Sequence, residues 1–388
     1  MKKLTNNLLF RVIVAIILGI ILGGFLPESI GRIFSTFNTL FDQLLKFLIP
    51  LIIVGLIIPA IAKLGNTAGK LLLITVIIAY GSTLFAGFSS YITSLAIFPS
   101  LIENQSLAAI DDNAKALMPY FNLVIPPLFD VMSGLVLAFL VGIGLTRIQN
   151  STLLKVAEDF ETIITFLIQK VLIPLLPLFI FGIFLDMTYS GKVMVIIDVF
   201  IKIICVIFVM HIALLLIQFI IAGAVAHKNP FKLLGTMMPA YFTALGTQSS
   251  AATIPVTIAQ AKKAGVSDDI ANFVIPLCAT IHLAGSMLKI VACVVALMLV
   301  QGMPIDFVQM AGFICMLGVT MVAAPGVPGG AIMAAIGIIA SMLGFDAENQ
   351  ALMISLYIAM DSFGTACNVT GDGAIAIVVD KLFRKKLG

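Results

Sequence analysis

The sequence predicts an all-α polytopic membrane protein with eight transmembrane helices and two oppositely oriented re-entrant helical hairpins. Three observations carry that expectation. Sixty-one per cent of the 388 residues are hydrophobic and only 11% are charged, against about a quarter charged in ordinary soluble domains. Apolar runs recur along the whole length, many long enough for the roughly 20 helical residues that cross a bilayer core. Basic residues gather in alternate connections. In lipid every backbone N–H and C=O must be satisfied internally, which leaves only helices or a closed barrel, and the short alternating segments of a barrel are absent.

The first apolar run, residues 12–25, follows Lys2, Lys3 and Arg11. No small-residue cleavage site closes it and further spans come after, so it reads as a first span and not as a signal peptide. Runs at 47–62, 71–98, 163–185, 193–226, 273–300 and 353–379 continue the series. Five cysteines (Cys205, Cys278, Cys293, Cys315, Cys367) lie in apolar surroundings without C-x-x-C spacing, and read as buried free thiols, not as disulfides or metal ligands. The net charge of +3 is explained by topology and offers nothing to nucleic acid.

Lys and Arg cluster at the N-terminus, at Lys63 and Lys70, Arg147 and Lys155, Lys228 and Lys232, Lys262 and Lys263, and from Lys381 to Lys386. The positive-inside rule places these in the cytoplasm, and connections near 28–32, 102–115, 190–192 and 302–306 outside. Both termini are then cytoplasmic, provided two apolar stretches enter and leave on one side. The hairpin at 231–258 is flanked by cytoplasmic basic clusters and breaks at "GTQSSAA". The hairpin at 307–344 returns to the outside and breaks at "AAPGVPGG". Small residues often serve only helix packing. Paired, oppositely oriented, interrupted segments instead mark inverted repeats with a binding site near the midplane.

The stretch "DSFGTACNVTGDG" interrupts the last apolar run. Asp361, Thr365, Asn368 and Asp372 lie four, three and four residues apart, so on a helix they share one face. Ionisable groups at membrane depth face a cavity or an ion path. A carboxylate, an amide and freed carbonyls are hard oxygen ligands suited to Na⁺, and a second carboxylate on the stripe suits a substrate ammonium.

Three motifs in order, "SSAATIPVT" (residues 249–257), "GVPGG" and "NVTGD", resemble the dicarboxylate/amino acid:cation symporter family, the glutamate-transporter homologues, over nearly the whole chain. The resemblance implies an elevator-type homotrimer in the plasma or inner membrane. Its scaffold would be 1–66 and 101–190, and its transport part 67–100 and 191–388. It implies substrate contacts at Gln248, Ser249, Ser250, Ser286, Val327, Asp361, Gly364, Thr365 and Asn368, with Asp361 on the substrate amino group. It implies one Na⁺ position at Asp372 and Asn368 with carbonyls of Cys278 and His282, and a second at carbonyls of Thr280, Met321, Val322 and Ala324.

Departures from the family pattern matter as much. Gly364 stands where acidic-substrate members carry an arginine, and Gln248 where some carry a compensating one. A neutral amino acid therefore fits better than an acidic one. The family's Asn-Met-Asp-Gly-Thr signature reads "HLAGS" here, with Ala284 for its aspartate, and Thr75, Ile78 and Ala79 stand at the third-span positions. A third Na⁺ site looks dismantled, which leaves two. Lys289, seven residues beyond His282, could supply a resident cation against Asp372 or Asp361. His282 reads first as a satisfied polar core residue, but its type also permits proton transfer, so H⁺ coupling, for amino acids or small dicarboxylates, is the alternative. A channel fits less well, because two closing hairpins describe an occluding carrier. An intramembrane enzyme lacks a catalytic constellation, and no phosphate-binding loop suggests ATP-driven transport.

Overall fold

The computed structural model describes residues 8–66, 70–102, 117–148 and 150–384. Lys2, Lys3, Lys385, Lys386 and most of the outer connection at 102–115 lie outside the described residues. The described chain forms fifteen α-helices: α1 (Leu8–Gly23), α2 (Glu28–Asn66), α3 (Lys70–Ile102), α4 (Val131–Leu145), α5 (Thr152–Leu167), α6 (Ile173–Tyr189), α7 (Val193–Ala226), α8 (Pro230–Thr247), α9 (Ser250–Lys263), α10 (Asp268–Ile281), α11 (Ala284–Val300), α12 (Phe307–Val322), α13 (Gly330–Leu343), α14 (Ala347–Ala359) and α15 (Asp361–Arg384). A π-helical turn at Ile168–Leu172 joins α5 to α6. It ends just before Pro174 and Pro177, whose missing N–H groups disturb regular α hydrogen bonding there.

Six stretches among the described residues are long and apolar enough to cross a membrane: Glu28–Ala62, Lys70–Ile102, Thr152–Tyr189, Val193–Ala226, Asp268–Val300 and Asp361–Phe383. Their burial differs. In the most apolar window of Asp268–Val300, 94% of residues are buried, against 33% for the windows of α3 and α7. The α10–α11 span therefore forms the centre of the protein. Helices α3 and α7 carry exposed Ile77, Phe85, Ile92, Ile201 and Val209 on their outer faces, the surface a bilayer would cover.

Both interrupted stretches fold as pairs. Helices α8 and α9 meet at Gln248–Ser249, and α12 and α13 at 323–329; in each pair the two helices pack on one another. Gln248 is a non-glycine residue in the left-handed region (φ 54°) at the C-cap of α8, where glycine is usual. Asn229 caps α8 and Asp306 caps α12, each accepting backbone N–H bonds from the first turn.

Two spans read as continuous in the sequence are broken. The run at 273–300 divides at His282 and Leu283, and the last at Met360 (φ −111°, ψ 10°), so Asp361 opens a new helix. The cysteine expectation is corrected too: Cys278, Cys293 and Cys367 are buried free thiols, but Cys205 and Cys315 are exposed. Their positions are on the outward faces of α7 and α12, and nothing in the apolar pattern distinguishes an outward from an inward position on such helices.

Candidate substrate and cation site

Where α10 ends and α11 begins, the chain leaves helical geometry for two residues, and the first N–H groups of α11 need partners from elsewhere. Asn368 on α15 supplies them. Its Oδ1 accepts from Gly285 N at 2.8 Å and Ser286 N at 3.3 Å, while its Nδ2 donates to Ser286 Oγ at 3.1 Å. The close crossing requires glycine: a Cβ on Gly285 would lie 2.7 Å from both Cys367 Cβ and Gly364 O. Tyr357 on α14 joins the cluster through its hydroxyl, 3.2 Å from Ser286 Oγ.

The polar stripe of α15 is buried throughout at Asp361, Thr365, Asn368 and Asp372. Its two carboxylates are eleven residues apart, about 16 Å along a helix, and meet different surroundings. Asp361 Oδ1 lies 2.9 Å from Lys289 Nζ, and Oδ2 accepts from Gly329 N at 2.8 Å. Lys289 is fully buried. Its ammonium sits 3.4 Å from the centroid of the Tyr357 ring and 3.5 Å from Met360 O. Of the two carboxylates expected for it, the lysine meets Asp361.

Asp372 meets His282 instead, Oδ1 to Nδ1 at 2.8 Å. On its other side His282 Nε2 is 3.1 Å from Ser82 Oγ, which accepts from Gln218 Nε2 at 3.0 Å. Cys278 O accepts from the His282 backbone N–H at 2.8 Å. Two oxygens expected at the first cation position thus already accept hydrogen bonds from His282.

The tips of the helix pairs close over Asp361. Ser249 Oγ donates to Gly326 O at 2.9 Å, joining tip to tip, and accepts from Ala252 N at 3.3 Å as the cap of α9. Ser250, the first residue of α9, is buried. Gln248 Nε2 donates to Ser362 Oγ at 2.6 Å. Val327 sits in the second tip, its N–H on Pro325 O at 2.8 Å.

The C-terminal ends of α10 and α12 border a common cavity of about 350 Å³, lined in part by Thr280, Ile281, Val322, Ala324 and Gly326. Met321 lies in the last turn of α12. Last-turn carbonyls lack intrahelical donors and carry the negative end of the helix dipole, an environment favourable to a small hard cation. Among the described residues no group of three or more His, Cys, Asp and Glu could hold a metal ion, so a cation here would draw on backbone oxygens, with Glu161 and Thr165 also lining the cavity.

Sequence reasoning missed Ser82, His211, Gln218, Tyr357 and Ser362. His211 Nε2 is 2.9 Å from Gly285 O at the α11 break. A signal existed for two of them: His211 and Gln218 are seven residues apart in the C-terminal half of α7, where the other residues are apolar or small, a single face carrying two polar groups.

Buried carboxylates at helix breaks, with two interlocked helix tips closing over one of them, are the features of a membrane carrier. The Sodium:dicarboxylate symporter family profile matches residues 8–382, and the chain belongs to that family. It is similar to a serine/threonine transporter of Acinetobacter baumannii, 28% identical over 395 residues with 96% of each chain covered. A serine/threonine transporter of Acinetobacter baylyi is 28% identical over 404 residues, with 97% of each chain covered. The family and these relatives are transporters, not enzymes.

Proposed function

We propose that this protein is a secondary active symporter coupling inward Na⁺ movement to uptake of a neutral amino acid. The observation that carries the reading is the closure of two broken helix pairs over one buried carboxylate: Ser249 joins the tips, and Gly329 and Gln248 tie them to Asp361 and Ser362. The names of the serine/threonine transporters it resembles support a neutral amino acid as cargo. In this reading Asp361 receives the substrate ammonium, with Gln248, Ser249, Ser250, Ser286, Val327, Gly364, Thr365 and Asn368 around it. The carbonyl-lined end of α10 and α12 receives Na⁺.

The architecture belonging to this function is eight spans with two re-entrant hairpins, α8–α9 and α12–α13, working as an elevator in a homotrimer. The protein would sit in the plasma or inner membrane with both termini cytoplasmic. Residues 1–66 and 101–190 would form the scaffold and 67–100 and 191–388 the moving part. The packing of α3 on α11 and of α15 on α7, α8 and α11, with α1 on α6 and α2 on α4, supports that division.

His282 on Asp372 favours one second reading, H⁺-coupled symport of amino acids or small dicarboxylates. Uptake of labelled amino acids into proteoliposomes, with Na⁺ and H⁺ gradients imposed separately, decides between them. Uptake of serine or alanine driven by Na⁺ alone is expected. Uptake driven only by a pH gradient would replace the first reading with the second.

A further inference from the structure

We propose that Lys289 and Asp361 together form a two-charge receptor for a zwitterion. The substrate ammonium takes Asp361, and its carboxylate takes the ammonium of Lys289. The inference rests on the neutral amino acid reading and names what recognises the other end of that substrate.

Three observations converge. A Cβ on Gly364 would lie 2.8 Å from Lys289 Nζ and 2.9 Å from its Cε. The lysine therefore occupies the room that a side chain at 364 would need, and a cation reaches this place from α11 where α15 offers none. Asn368, the expected amide beside the substrate, spends Oδ1 on two N–H groups of α11 and an N–H on Ser286 Oγ. Lys289 is then the cationic donor nearest to Asp361. The ammonium is also held in a way that permits a change of partner: one short bond to Asp361, one contact of 3.5 Å to Met360 O, and the Tyr357 ring face beneath it. A ring face attracts a cation within about 6 Å of its centroid, and Nζ starts at 3.4 Å, so the lysine has room to turn from Asp361 toward a carboxylate while staying in reach of Tyr357.

The electrostatics select the ligand. Lys289 and Asp361 sum to zero, and a zwitterion inserted between them gives four alternating charges that also sum to zero. An amine without a carboxylate would displace Lys289 from Asp361 and leave the ammonium uncompensated. An acid without an amino group would do the same to Asp361. Either outcome is disfavoured at a buried site.

Binding to the purified full-length protein in nanodiscs tests this with L-serine, ethanolamine (the same skeleton without the carboxylate) and glycerate (without the amino group). The unmutated protein should bind serine and reject the other two. Lys289→Met should weaken serine about 30-fold or more while strengthening ethanolamine, because Asp361 is freed. Lys289→Arg, which keeps the charge, should retain serine and still reject ethanolamine. An unmutated protein that binds ethanolamine as well as serine overturns the proposal, even if Lys289→Met does not fold. So does a folded Lys289→Met that loses serine without gaining ethanolamine. Failure of the unmutated protein to bind serine, threonine or alanine would instead overturn the neutral amino acid reading beneath it.

Discussion

His282 Nδ1 lies 2.8 Å from Asp372 Oδ1, so the carboxylate expected to neutralise Na⁺ is held by an imidazole from the break between α10 and α11. A cation at Asp372 must share that oxygen or displace the ring. With Ala284 in place of the family's aspartate, uptake should depend on Na⁺ with a Hill coefficient nearer two than three, and His282→Asn should raise apparent Na⁺ affinity by freeing the Asp372 carboxylate. Asp372→Asn should erase the dependence on that ion. Initial rates against Na⁺ concentration check all three; a steep three-ion dependence in the unmutated protein would refute the loss of the third site.

Asp361→Asn should abolish amino acid uptake and lower the melting temperature of the purified protein. It strands the buried Lys289 ammonium, at about 3–5 kcal/mol for a broken buried pair. Adding Lys289→Met removes both charges and should recover the melting temperature while uptake stays absent. Near-normal uptake by Asp361→Asn would sink the amino-group assignment.

Gly364→Arg alone should fail to transport, because its Cβ would lie 2.8 Å from Lys289 Nζ and two cations would compete for Asp361. Combined with Lys289→Met, the arginine gains room and a planar fork of donors, and preference should shift toward acidic amino acids. Uptake of labelled aspartate, compared with labelled serine in the same variant, reads the shift. A folded double variant that takes up serine and ignores aspartate would show that residue 364 does not face the substrate side chain.

Gly329→Ala tests the latch on Asp361. The new Cβ would meet only Leu8 Cδ2 at 3.4 Å, so space is not the obstacle; φ of +73° is. Left-handed backbone costs an L-residue roughly 1–2 kcal/mol, and that strain should turn the N–H away from Oδ2. Substrate affinity should change about tenfold with the protein still folded. Unchanged affinity would show that the Gly329 N–H plays no part in closing the site.

The parts of this architecture that were legible in the sequence are those written locally. "GTQSSAA" and "AAPGVPGG" interrupt apolar runs with residues that break helices, and the chain breaks within both. The spacing of Asp361, Thr365, Asn368 and Asp372 put them on one buried face. The break at Met360 was hidden, because "ALMISLYIAM" is a continuous apolar run and tertiary contacts, not propensity, end α14 there. Lys289 was legible as a cation for Asp372 or Asp361, but which of the two it meets was not, and the pairing of Ser82 with His282 was hidden altogether. Lys289 finds Asp361 across 72 residues of chain and Ser82 finds His282 across 200, and no periodicity carries information over such separations. The absence of an arginine at Gly364 looked like a missing cation only because the neighbouring helix could not be seen.

The Lys289–Asp361 pair also bears on voltage. A charge moved through the full membrane potential does work of about 2.3 kcal/mol per 100 mV. An elevator whose moving part carries Asp361 alone would feel the potential on every return stroke. With Lys289 only 2.9 Å away on the same packed unit of α11 and α15, the two form a dipole whose monopole work cancels, so in the proposed elevator this carboxylate would cross the field at almost no electrical cost.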